Sequence, residues 1–415
     1  MKVNKKGAIA LTALVAGSML ALAGCSGGGG GAETSAAADT TPITIWTDIE
    51  RKPALEPVAE QFTKDTGVPV KIVTKDFATV DQDFITQVPT GKGPDIIVSP
   101  HDKLGSFVAA GVVAPVELGD VADELQPVAV QAVTYDGKTY GMPYSIENIA
   151  LIRNTELAPE AAATYDDVVA AGKASGAKYP LLLGLSVEQG DPYHMYPLQT
   201  SFGSAVFAQN ADGSYDSSKL VIGDQQGVDF ATWLGTQGMK GTGVFNANID
   251  GDKAKQFFLD KQGAFYITGP WNLPDIKKAG IKYSVDPLPT AGGEAASPFL
   301  GVNAFFLSSK STNSLAATNF IVNYLSEEDV QMELYKVGGR PPALISAYDK
   351  AASEDPDVKS FGDIGANGYP MPAIPEMGSV WSDWGNAEMT IIKGTADPAA
   401  TWTKMAENIQ SKIGG

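Results

Sequence analysis

Apolar positions along the chain switch between the two-residue period of strands and the 3.6-residue period of helices. Ile43-Thr44-Ile45-Trp46 predicts a short strand, and Leu55, Val58, Ala59 and Phe62 follow at the i, i+3, i+4, i+7 spacing of a helix that Gly67 would stop. A second strand reads from Val68 to Val73, and Asp95-Ile96-Ile97-Val98 is the nearly continuous apolar run of a strand covered on both faces. Leu104 to Ala110 is helical in pattern and closes at Gly111. Thr164 with Asp167, Ser326 with Asp329, and Asp397-Pro398 each open a further helix, the last of which places Trp402, Met405, Ala406, Ile409 and Ile413 on one face. Strands and helices alternating in this way predict an α/β fold with mostly parallel sheets. No repeat of about 20–50 residues marks a solenoid or propeller.

Composition narrows the chemistry. The chain has 415 residues, 44% hydrophobic and 19% charged, which suits a globular protein of two domains or one large one. Acids outnumber bases 48 to 30, so no broad basic surface exists to neutralise phosphates, and nucleic acid is not an expected partner. Cys25 is the only cysteine, and His101 and His194 are the only histidines. Cysteine-rich zinc sites, intramolecular disulfides and the His-Glu-x-x-His metalloprotease motif are therefore excluded, and no metal is expected. A Gly-x-Ser-x-Gly elbow and a Gly-x-x-x-x-Gly-Lys-Ser/Thr loop are both missing, so neither serine hydrolysis nor a nucleotide cofactor is expected.

The first 25 residues read as an address. Lys2, Lys5 and Lys6 occur without an acid, Ala8 to Leu22 is apolar, and Leu22-Ala23-Gly24-Cys25 closes the run. The run is short of the ~20 residues that span a bilayer, so it reads as a secretory signal. Leu-Ala-Gly-Cys resembles the bacterial lipoprotein box, which implies cleavage after residue 24, lipidation of Cys25 and a membrane anchor. Without residues 1–24 the chain carries 27 basic against 48 acidic residues, a net charge of -21. From Ser26 to about Pro42 the chain is rich in Gly, Ala, Ser and Thr, including Gly27 to Gly31, and reads as a tether with a reach of about 20 Å. The working body is then about 43–415.

Several stretches of that body carry a resemblance. Phe62-Thr63-Lys64-Asp65-Thr66-Gly67-Val68, Gly91-Lys92-Gly93-Pro94-Asp95-Ile96-Ile97 with His101-Asp102-Lys103, Ile267-Thr268-Gly269-Pro270-Trp271, Asn323-Tyr324-Leu325, and Met371-Pro372-Ala373-Ile374-Pro375-Glu376-Met377 leading to Trp381 occur in order along the chain. Together they resemble the maltose-binding protein family of extracellular sugar receptors. The resemblance implies two α/β lobes joined by a hinge, a ligand cleft between them, a first lobe of 43–146 plus 300–348, and a second of 147–299 plus 349–415. Ligands of open parallel sheets lie outside the carboxyl ends of the strands, so the loops after Ile45 and Val98 are also where a reading without the family would look.

Sugar sites combine aromatic faces, on which pyranose C–H faces stack, with charged and amide groups for the hydroxyls. By the resemblance, Glu50 and Arg51 correspond to an acid and a lysine that bind hydroxyls, and Asp102 and Lys103 to an acid and an arginine with the same role, while Ser99 replaces a stacking tryptophan. Glu147 corresponds to a ligand-binding glutamate near the hinge. Asp191-Pro192-Tyr193 corresponds to a turn with a stacking tyrosine, followed by His194 in place of phenylalanine. Trp271 and Trp381 correspond to two stacking tryptophans; Ser382 and Gly385 replace a tyrosine and an arginine, and Trp384 beside them is an additional aromatic expected to bind ligand on the cleft rim.

The residues read alone leave other meanings open. Trp402, Trp233 and Trp46 lie in apolar patterns and read as core. Composition alone would put Glu50, Glu147 and Asp191 on a solvated surface, and His101 reads as a hydrogen-bonding brace for its loop. A glycoside hydrolase would also place two acids and aromatics in a cleft, but no eightfold strand-helix repeat occurs and nothing singles out one acid pair. A purely adhesive lipoprotein leaves the tryptophans and charged loops unexplained. The expectation is therefore a monomeric, non-enzymatic carbohydrate receptor without cofactor, anchored through Cys25 at the outer face of the cytoplasmic membrane. It would deliver a malto-oligosaccharide or another α-glucoside to the permease subunits of an ATP-binding-cassette importer. Maltose, maltodextrins, trehalose, sucrose and isomalto-linked sugars remain open as ligands.

Overall fold

The structure, a computed structural model, describes residues 41–185, 190–209 and 215–413. The signal segment 1–24, Cys25 and the tether as far as residue 40 lie outside the described residues. Among the described residues no helix is long and apolar enough to cross a membrane.

Ile43–Thr47 forms the first strand, and the helix Lys52–Thr66 follows with Leu55, Val58, Ala59 and Phe62 buried along one face. Gly67 ends that helix at φ 75°, where its N–H donates to the Thr63 carbonyl at 2.9 Å, a left-handed cap that glycine adopts without steric cost. Val70–Thr74 and Ile96–Pro100 flank the first strand, both parallel to it. Beyond Ile96–Pro100 the sheet continues with Phe299–Leu307, which is antiparallel to it and also to Gly141–Glu147. The two-residue strand Tyr369–Pro370 pairs parallel with Phe299–Leu307. A second sheet, Phe265–Thr268, Ala150–Asn154 and Tyr283–Asp286, is antiparallel throughout.

The α/β class stands, but mostly parallel sheets do not. Among the described residues parallel pairing is limited to the first three strands, which helices connect, the short Tyr369–Pro370 contact, and three isolated bridges, Thr164 to Thr290, Tyr179 to Gly263 and Leu182 to Tyr266. An apolar run such as Asp95 to Val98 reports burial on both faces, which a central strand has whatever the direction of its neighbours.

Buried apolar side chains gather into a first core drawn from Ile43 to Tyr144 and Val302 to Val358, and a second, made of two adjoining clusters, drawn from Ile149 to Phe299 and Phe361 to Ile409. The chain passes between these groups at Asn148-Ile149 and again inside the strand Phe299–Leu307. Phe299 stacks on Tyr196 at 3.6 Å in the second core, while Val302 is already in the first. Trp402 is fully buried and its Nε1 donates to the Ile222 carbonyl at 2.8 Å, and Trp233 packs edge-on to Tyr165, so both are core as their spacing predicts. Thr164 caps its helix by accepting from the Asp167 N–H at 3.1 Å. Ser326 does not: its hydroxyl donates back to the Asn323 carbonyl at 2.9 Å, and the helix begins at Glu328.

Two contacts tie the first core to the segment that leads into the helix Met377–Lys393. The Val302 N–H donates to His101 Nδ1 at 3.1 Å, so the proton of the neutral ring is on Nε2, which donates to the Met371 carbonyl at 3.0 Å. Burial holds the His101 pKa below the usual histidine value, although Asp102 and the hydrogen bond to the Met371 carbonyl oppose it. Nearby, a Cβ on Gly105 would lie 2.5 Å from the Ala373 carbonyl oxygen, and the Ser106 hydroxyl donates to the Pro375 carbonyl at 3.1 Å. The helix Leu104–Ala109 therefore touches backbone that a side chain would displace.

Below about pH 6.5 the unfolded chain takes up a proton on His101 more readily than the folded one, so its contribution is present above that pH and fades as pH falls. Denaturant titrations should show His101→Gln costing about 1–3 kcal/mol at pH 7.5 and less at pH 5; a cost independent of pH would contradict the neutral bridge. Gly105→Ala should destabilise by about 1–3 kcal/mol through overpacking against backbone, and an unchanged melting midpoint would contradict the close approach.

Candidate functional site

The loop after Thr47 is shaped by Asp48, whose Oδ1 accepts from the N–H groups of Glu50 and Arg51 at 2.9 and 3.0 Å. Arg51 points inward. It is buried, ion-paired with Asp48, and its Nη2 donates to Asn303 Oδ1 at 2.6 Å, while Asn303 Nδ2 reaches Ser145 Oγ at 3.2 Å. The Phe77 ring, itself exposed, covers the guanidinium at 5.4 Å. Glu50 points the other way and is exposed.

Asp102 and Lys103 lie in the turn that follows Ile96–Pro100. The buried Asp102 carboxylate accepts from Lys103 Nζ at 2.8 Å and from Trp381 Nε1 at 2.9 Å, joining a loop of the first core to a helix of the second. Burial would lower the Lys103 pKa, but Asp102 and Asp81 outweigh it and hold the ammonium charged. Asp81, which carries the Ser99 hydroxyl at 2.7 Å, has its own pKa raised by burial. Where the family pattern has a stacking ring, this chain thus has a hydroxyl that supports an acid.

Glu147 ends the strand Gly141–Glu147 beside the crossing point and accepts from Arg340 Nε at 2.8 Å. Opposite it, a Cβ on Gly301 would approach Glu147 Cγ to 3.2 Å and Tyr193 Oη to 3.5 Å. The Tyr193 hydroxyl is buried and has no protein partner among the described residues, and burial raises its pKa well above the usual tyrosine value. Asp191 caps the helix Pro192–Thr200 through the His194 N–H at 3.1 Å and holds His194 Nδ1 at 2.8 Å. Burial would lower the His194 pKa, and Asp191 reverses this to raise it.

Trp271 is half-buried, with its ring centroid 6.4 Å from Tyr193, 5.9 Å from His194 and 5.5 Å from the Arg340 guanidinium. Its ring folds back over Gly269, where a Cβ would come within 2.0 Å of Cζ3, so the Gly-Pro-Trp sequence has a steric reason. Trp381 and Trp384, three residues apart on the helix Met377–Lys393, stack at 5.5 Å with planes 5° apart. Only Trp381 is part-exposed. Trp384 is fully buried and packs on Tyr196 and Phe299, so its expected place on the cleft rim is corrected: the Gly/Pro-rich stretch ends at Met377, and helical spacing then turns Trp384 into the core.

Glu50, Glu147, Trp271, Asp102, Lys103 and Trp381 are thus brought along the junction of the two cores. Tyr193 and His194 back Trp271, Arg51 lies beneath the Glu50 loop, and Asp191 serves as a helix cap. Sequence reading missed Arg340, Asp81 and Phe77. Arg340 had a signal: only three arginines occur, and this one sits in Gly338-Gly339-Arg340-Pro341-Pro342, a turn that no core pattern explains. Among the described residues no group of three or more His, Cys, Asp or Glu side chains could hold a metal ion.

The geometry invites comparison with receptors that hold a ligand between two bodies. A solved structure titled Thermus thermophilus maltotriose binding protein bound with maltotriose superposes with a TM-score of 0.79 and 32% identity, covering 89% of this chain and 98% of that one. The galactooligosaccharide-binding protein of Bacillus subtilis (strain 168) is 28% identical, covering 100% of this chain and 98% of its own length. A maltooligosaccharide ABC transporter solute-binding lipoprotein of Streptococcus pneumoniae serotype 4 (strain ATCC BAA-334 / TIGR4) is 26% identical, covering 100% of this chain and 99% of its own. The family described as bacterial extracellular solute-binding protein matches residues 58–360, a span that contains four strands of the first sheet, the whole of the second, and Asp102, Lys103, Glu147, Trp271 and Arg340. With that span matched and a solved structure superposing over 89% of the chain, the chain belongs to the bacterial extracellular solute-binding proteins.

Proposed function

We propose that this protein is a monomeric carbohydrate receptor, anchored by a lipid on Cys25 at the outer face of the cytoplasmic membrane. It captures a malto-oligosaccharide or another α-glucoside and passes it to the permease subunits of an ATP-binding-cassette importer. The two lobes are about 43–146 with 300–348 and 147–299 with 349–415. The observation that carries this reading is the pairing of a tryptophan with a charged group from the opposite core at two points, the Trp381 N–H on Asp102 and the Trp271 ring under Arg340. Such pairs suit a pyranose, whose C–H face stacks while its hydroxyls need acceptors and donors. The names of the maltotriose-binding and maltooligosaccharide-binding relatives support the α-glucoside, and the latter's transporter and lipoprotein description supports the partner and the anchor.

Binding without catalysis fits the acids. Glu147 is engaged by Arg340, Asp102 by Lys103, and Asp191 by His194, so each of these three carboxylates already has a cationic or imidazole partner within the protein. A sugar touching both lobes would favour their closed arrangement by its differential affinity. The galactooligosaccharide-binding relative favours a second reading, in which the ligand is a galactooligosaccharide.

Titration calorimetry against maltose to maltoheptaose, trehalose, sucrose, isomaltose, raffinose and a galactooligosaccharide should give micromolar binding to an α-glucoside that is recovered intact. Heat from the galactooligosaccharide alone would favour the second reading; cleaved sugar or no heat at all would overturn the proposal. In the same assay Trp271→Ala and Trp381→Ala should each weaken binding by about 1–3 kcal/mol while the far-UV circular dichroism stays that of wild type. Two variants that bind as tightly as wild type would place the site elsewhere.

A further inference from the structure

Arg340 stands where three parts of the junction meet. It follows the helix Glu328–Gly338, and Gly339 between them sits at φ 73°, with the Pro270 carbonyl oxygen 2.7 Å from where a Cβ would be. Glycine therefore lets the turn carry Arg340 against the Gly269-Pro270-Trp271 segment of the other core. Three contacts orient the guanidinium: Nε donates to Glu147 Oε2 at 2.8 Å, its face covers the Trp271 ring at 5.5 Å, and Nη2 lies 3.8 Å from Glu50 Oε2. The first two contacts fix Arg340, whose side chain is only 5% exposed, whereas that of Glu50 is 51% exposed.

The 3.8 Å separation is too long for a direct hydrogen bond. A hydroxyl oxygen about 2.8 Å from both atoms, at its tetrahedral angle, spans about 4.6 Å, so the exposed Glu50 carboxylate needs to swing outward by less than about 1 Å to share one with the fixed Arg340. A hydroxyl can accept from a guanidinium and donate to a carboxylate at the same time. We propose that Arg340 and Glu50 form a donor–acceptor pair that reads one ring hydroxyl of a sugar lying on Trp271, which makes Arg340 a specificity-determining residue. This rests on the carbohydrate reading above. Both partners are charged, so each half of the bridge is a strong hydrogen bond, and a sugar lacking that hydroxyl leaves both charges without it. Glu147 orients Arg340 and is a positioning residue in this arrangement.

Calorimetric titration of the purified protein with maltotriose and its monodeoxy derivatives tests the pair. Glu50→Ala and Arg340→Met should each weaken maltotriose binding about 10- to 100-fold, and the double variant should be little weaker than the weaker single one. One monodeoxy derivative should lose a similar factor on wild type, yet bind either variant as well as maltotriose does. If Arg340→Met does not fold, Arg340→Lys, which keeps a cation for Glu147 and loses the fork, should show the same insensitivity to that derivative. Losses that simply add, or sensitivity to every deoxy position unchanged in the variants, would mean that Arg340 acts only through Glu147 and would overturn the pair. If wild type does not bind maltotriose, the α-glucoside reading fails first and the pair with it.

Discussion

A carboxylate and a guanidinium shut away from water stay charged only when each satisfies the other, and Glu147 with Arg340 meets this requirement at the junction of the two cores. The same constraint governs the other two arginines, since Arg51 is held by Asp48 and Arg153 by Asp286. Each pair locks a loop or a strand end. Removing one partner of such a pair typically costs about 3–5 kcal/mol, so the groups that shape the junction are also groups on which stability depends. The site is preorganised for this reason: Glu147, Asp102 and Trp381 are already oriented by protein partners, and a ligand need not immobilise them.

The strand Phe299–Leu307 supplies the other half of the arrangement. It belongs to both cores along its length, with Phe299 stacked on Tyr196 at one end and Val302 to Leu307 in the first core at the other. Gly301 lies where Glu147 and Tyr193 approach, and a Cβ there would already touch both, pressing on the Glu147 side chain at 3.2 Å. A receptor that closes on its ligand must shift its population by differential contacts; moving from 1:99 to 99:1 takes about 5.5 kcal/mol. Two stacking faces and a few charge-assisted hydrogen bonds divided between the lobes are of that order.

Much of this was legible in the chain because local physics and burial agree there. The helix Lys52–Thr66 has an unbroken apolar stripe and a glycine stop, and His101 was readable as a brace because a lone histidine in a turn needs partners for both ring nitrogens. Strand direction was not legible, since an apolar run encodes coverage and not the course of a neighbour that arrives from 200 residues away. Trp384 was misread because aromatic clustering says nothing about phase until the helix start is known. Arg340 escaped because its meaning lies in Glu50, Glu147 and Trp271, which no local pattern joins to it.

The central claim is that one ligand sits between the two cores and touches both. A crystal structure of the protein with maltotriose tests it most directly. Pyranose rings should lie on Trp271 and Trp381 of the second core, with hydroxyls within hydrogen-bond distance of Asp102, Lys103, Glu147 or Arg340 of the first. A sugar bound to one core only, or away from both tryptophans, would contradict it.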